Sequence, residues 1–109
     1  MRKTVEVAVH WTDEHLGGKA VLPDKTPYYV TTDLLKNESG IETNWSLVLE
    51  IERNTEDVGS RTGLGKAYFL VESAPSSLLR KGHSLSVYEG GRYVAMVEVV
   101  EVVEVVDVV

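Results

Sequence analysis

The sequence predicts an all-β protein, in the form of a single six-stranded antiparallel β-barrel. Three observations lead there. Apolar and polar residues alternate in short runs, the period that gives a strand two different faces. Clusters of Gly, Pro, Asn and Asp separate those runs, as turns require. No long segment carries the 3.6-residue period of a helix. With 109 residues the chain has room for one domain around one modest core. Such spacing suits a barrel or a sandwich, and the barrel is the expectation.

The elements follow in order. Val5, Val7, Val9 and Trp11 share one face of a first strand, with Glu6, Ala8 and His10 on the other. Tyr28-Tyr29-Val30-Thr31-Thr32 is aromatic and β-branched, the composition that packs well on a pleated surface. Trp45, Leu47, Leu49 and Ile51 face one way in a third strand, opposite Ser46, Val48, Glu50 and Glu52. Segments 66–72 (KAYFLVE), 83–88 (HSLSVY) and 93–103 complete the set. Between them lie Gly17-Gly18, Pro23-Asp24, Asn37–Gly40, a long Arg53–Gly65 connector, Ala74–Ser77 and Gly90-Gly91. The last pair suits a two-residue hairpin, because glycine reaches positive φ without a Cβ clash.

The charge is uneven. All 11 basic residues and 13 of the 17 acidic ones lie at or before Arg92, so most of the net charge of −6 falls in a closing valine-rich run. There Glu98, Glu101, Glu104 and Asp107 recur every third residue with no basic residue among them. A period of three does not fit a strand's period of two. Either a bulge resets the register or pairing ends near Val100. An acid every third residue also reads as a gatekeeper against self-association of an exposed valine strand. Residues 1–103 are accordingly taken as the barrel and 104–109 as an extension of its last strand. That strand is expected to close the barrel and to offer its end to a second copy of the chain.

Several classes of function drop out. No stretch of about 18 apolar residues is free of charge, so no membrane-spanning helix is expected. The opening VEVAVHW is interrupted by Glu6 and too short for a signal-peptide core, so a cytoplasmic location is expected. There is no cysteine, hence no disulfide framework or thiolate metal site. His10, Asp13 and His15 lack a structured metal-ligand spacing, and His10 falls on the polar face of its strand. The segment 59–67 (GSRTGLGKA) looks like a phosphate loop. It lacks the Gly five positions before Gly-Lys, lacks the Ser or Thr after it, and leads into a strand. A mobile connector is the simpler reading. His83 and Ser84 are neighbours on a strand and point to opposite faces, so they form no nucleophile and base pair. No enzyme, no cofactor and no metal are expected.

The order of signals resembles the C-terminal β-barrel, or third domain, of elongation factor Tu and related translation GTPases. The opening TVEVAVHWTDEHLGGK is similar to that domain's first strand, acidic turn and Gly-Gly-basic step. Residues 27–33 (PYYVTTD) resemble the family's aromatic strand ending in Arg-Thr-Thr-Asp. The best match is 78–100, LLRKGHSLSVYEGGRYVAMVEVV, where a glycine before a strand and an EGGR turn lead into a valine-rich final strand. The resemblance implies a non-enzymatic binding module of the translation apparatus, working through protein contacts as adaptor, regulator or decoy. It places binding on Lys19, Thr31, Thr32, Asp33, Glu89, Gly90, Gly91 and Arg92. Weak binding to the tRNA backbone is the alternative. Val30 stands where the family carries an arginine, which removes charge and fork geometry from that contact.

Overall fold

A computed structural model describes residues 2–57 and 60–106. Its six strands are β1 (Arg2–Trp11), β2 (Tyr28–Lys36), β3 (Glu42–Asp57), β4 (Ser60–Phe69), β5 (Ser84–Glu89) and β6 (Arg92–Val106). They close into a barrel in the order β1-β4-β3-β2-β5-β6, and every neighbouring pair is antiparallel. β2, β3 and β4 form a meander, and β1 lies beside β4, which makes a Greek key. Two connections cross the barrel ends: Thr12–Pro27 over one mouth and Leu70–His83 over the other. No described helix is long and apolar enough to cross a membrane.

Alternation places the core as the sequence implies. Val5, Val7, Val9 and Trp11 point inward with Trp45, Leu47, Leu49 and Ile51, and all are buried. Val97, Val99, Leu85 and Val87 complete the far wall. One outward residue is nevertheless buried. Val48 sits in register between Tyr29 and Tyr68 on the outer face and is 1% exposed.

Two expectations need correction. Most of the Arg53–Gly65 segment is no connector: β3 runs on to Asp57, β4 begins at Ser60, and beyond a register shift at Ile51/Arg53 they pair residue for residue from Arg53–Leu64 to Asp57–Ser60. Its polar composition hid the strand, because the inward positions of the first half of β4 are Gly63 and Gly65, and large apolar packing begins only at Phe69. These small residues are required there. A Cβ on Gly65 would lie 2.1 Å from the Glu50 carbonyl oxygen. The space at Gly63 is filled by the Trp11 indole and the Asn54 amide. The strand expected over 66–72 also ends early, at Phe69, leaving Leu70 and Val71 exposed.

The acidic tail finds a geometric explanation. β6 pairs with β1 to Val106, with register shifts that leave Val100 and Val103 without partners on β1. Glu98 then pairs with Ala8, Glu101 with Glu6 and Glu104 with Thr4. Three residues on β6 match two on β1, twice over. Two consecutive bulges convert a period of three into successive positions on one face.

Candidate functional site

The candidate site sits where β2 meets β5 and the chain turns into β6. The turn forms as its glycines dictate: Glu89 pairs with Arg92, and Gly90 and Gly91 take φ values of 57° and 82°. Both values are positive, as a type I′ hairpin requires. β2 and β5 are joined only by the register pairs Thr31–Tyr88 and Thr32–Val87, so this is the shortest seam of the barrel.

Inside the barrel mouth, Lys19 donates to both Glu89 carboxylate oxygens at 2.8 and 3.2 Å. The Tyr28 phenol donates a short hydrogen bond to the same carboxylate. The Lys19 ammonium also stands 5.6 Å from the Tyr28 ring centroid, a cation–π distance. The hydrogen bond from Lys19, with that from Tyr28, holds the Glu89 carboxyl below its ordinary pKa. Burial, with the hydrogen bond to Glu89, pushes the Tyr28 phenol far above its own. The loop that carries Lys19 is pinned from β3 and β4. Arg61 donates to the carbonyls of Thr12 and Lys19 at 3.0 and 2.7 Å, and Asn54 donates to that of Pro23 at 2.8 Å. The Trp11 indole donates to the Asn54 side-chain oxygen at 2.9 Å. Arg61, expected on a mobile connector, is therefore a fixed clamp.

Outside, an open groove of about 520 Å³ is lined by Thr31, Asp33, Asn44, Tyr88, Gly90 and Gly91, with Thr32 behind them. The Tyr88 phenol donates to Asp33 at 2.6 Å, and this bond raises the phenol's pKa. Tyr93 meets Tyr88 edge-on with centroids 5.6 Å apart. Thr31 Oγ1 donates to the Tyr88 carbonyl at 3.4 Å, across the seam. Thr32 is buried, and its hydroxyl donates to the Asp33 carbonyl while accepting from the Trp45 amide. Its hydroxyl is engaged in holding the strand.

Past Thr32 the two strands part, and side chains cap β2. Asn44 donates to the Thr32 carbonyl at 2.8 Å and the Trp45 indole to that of Leu35 at 2.7 Å. A register shift between Thr31 and Leu34 creates this geometry.

The structure thus divides the eight expected residues between two faces of one turn. Lys19 and Glu89 bond in the mouth, Thr31, Asp33, Gly90 and Gly91 line the groove, Thr32 lies behind it, and Arg92 is exposed on the turn. Sequence reasoning treated Tyr28 and Tyr88 as ordinary strand aromatics and passed over Asn44 and Asn54. Asparagine inside a strand, where it is disfavoured, was the signal that could have found the last two. On the opposite wall, His10 faces outward and its Nε2 lies 3.0 Å from Glu98. Among the described residues no three His, Asp or Glu side chains are placed to hold a metal ion. No protein-family model, characterised protein or solved structure matches this chain.

Proposed function

We propose that the chain is a non-enzymatic binding module whose recognition face is the β2–β5 groove with the Glu89–Arg92 turn. In keeping with its resemblance to the third domain of elongation factor Tu, it docks there on a protein of the translation apparatus. The observation that carries this reading is the groove. It gathers the Tyr88 ring, a carboxylate, an amide side chain and two glycines of an open turn on one surface, with Tyr93 edge-on against Tyr88. Aromatic anchors ringed by polar groups are the usual make-up of a protein contact.

Protein is favoured over RNA by charge. The Lys19 ammonium is bound to Glu89, and the Asp33 carboxylate lies in the groove itself. A phosphate backbone needs free cations, and the other cation among the expected residues, Arg92, stands in register with Glu89 and also acts on its carboxylate.

The test is site-specific photo-crosslinking from Tyr93, which borders the groove, in a cell lysate. A discrete protein adduct from the translation apparatus is expected, and it should disappear in Arg92→Glu or Asp33→Lys. An adduct that ribonuclease removes would replace this reading with RNA binding. An adduct indifferent to both substitutions would overturn the choice of face.

A further inference from the structure

A second surface, at the opposite end of the barrel, is independent of that groove. β5 begins opposite Glu98, and backbone bonds from Gly82 and His83 reach no further along β6 than Val99. From Val100 to Val106, β6 has β1 on one side and no described strand on the other. β1 itself loses its β4 partner before Val5. The two strands therefore leave the barrel as a ribbon, with the outer edge of β6 open.

That edge has a character of its own. Val100 and Val103, the two bulged residues, are 43% and 46% exposed. The Val102 amide donates to the Glu101 carboxylate beside it, at 3.3 Å. Glu101 stands directly opposite Glu6, a like-charge pair that costs the free protein stability. Lys66 beside Glu6 is shared with Glu50, and Lys81 reaches Glu101 only at 3.6 Å on the open surface. Pairing two β6 edges would set acid against acid, since no basic residue follows Arg92.

We propose that the open edge of β6, from Val100 to Val106, binds an extended peptide segment that alternates basic and apolar residues. The segment adds as a further strand: its backbone satisfies the edge amides and carbonyls, its apolar residues cover Val100 and Val103, and its cations relieve the Glu6–Glu101 repulsion. The bulges reduce the flatness that would let identical edges stack, and the acids repel a second copy.

The probe is a synthetic peptide, acetyl-Lys-Val-Thr-Val-Lys-Val-amide, followed by amide chemical shifts and hydrogen exchange of the whole chain. Slowed exchange confined to Val100–Val106 is expected, with affinity about fivefold weaker in Glu101→Lys and weaker again in high salt. The counterpart with Glu for Lys should not bind. Equal binding of both peptides, no binding of either, or protection elsewhere would overturn the proposal. Dimers of the free chain at neutral pH and moderate salt would do so too, by making a second copy the occupant. The groove at the β2–β5 seam serves as an internal control, since its amides should not respond.

Discussion

Glu89 shows how one residue can join three elements. It closes the β5–β6 turn, holds the β1–β2 loop through Lys19 and fixes the start of β2 through Tyr28. Because its pKa is lowered in the folded chain, its stabilisation is fully present above the ordinary value of 4.5. It is lost as pH falls through the lower folded value. Acid titration of wild type and Glu89→Gln should therefore give stability curves that separate above the ordinary carboxylate range and converge only as pH falls through the lowered folded value. A Glu89→Gln curve that runs parallel to wild type throughout would remove this role. Tyr28→Phe deletes one hydrogen bond and leaves Lys19 to satisfy the carboxylate. Chemical denaturation should show a loss of about 1 kcal/mol. Gly65→Ala is harsher, since the new Cβ would overlap the β3 backbone rather than a flexible side chain. A loss of about 2–4 kcal/mol is expected in the same measurement.

At the scale of the element, β6 makes the clearest prediction. Deleting Val100 removes one bulge yet leaves Glu101 opposite Glu6 and Val102 opposite Val5. The ladder becomes regular from Ala95 to Val102, the bulge at Val103 remains, and no core residue changes face, so thermal melting should shift by only a few degrees. Deleting Ala8 from β1 is the contrast. It turns either Val5 and Val7 or Val9 and Trp11 away from the core, and the fold should be lost. Similar melting for both deletions would show that register is not what the bulges protect. The β3–β4 hairpin teaches the complementary point. Its glycines look like loop in the sequence and act as spacers in the barrel, making room for Trp11 and for the β3 backbone.

Across the whole molecule, the strength of the ring is uneven. β1–β6 and β3–β4 each share a ladder of ten register pairs, whereas β2–β5 is held by two. Hydrogen exchange should open the barrel first along Asp33–Lys36 and Ser84–Ser86, well before the β3–β4 and β1–β6 ladders. Uniform protection across the six strands would contradict this. The proposed recognition groove lies on that weak seam, so a partner seated there should raise protection on both its sides.

The sequence by itself determined the all-β class, the inward faces of β1 and β3, the EGGR hairpin and the anomaly of an acid at every third position. These are local properties: strand alternation has a fixed period, and a hairpin turn depends on the φ its residues tolerate. Lys19 and the turn residues entered as binding residues only through the family resemblance, not through any local rule. Only the tertiary structure decided that residues 53–57 and 60–65 are strand, that Arg61, Asn54 and Tyr28 seal the barrel mouth, and that Thr32 is a buried post. It alone showed that two bulges, rather than an end to pairing, absorb the period of three. Each of these depends on what the neighbouring strand brings into register: a backbone oxygen beside Gly65, an indole beside Gly63, a carboxylate opposite Lys19. Such partners lie 15 to 70 residues away, and no pattern within a single strand encodes them.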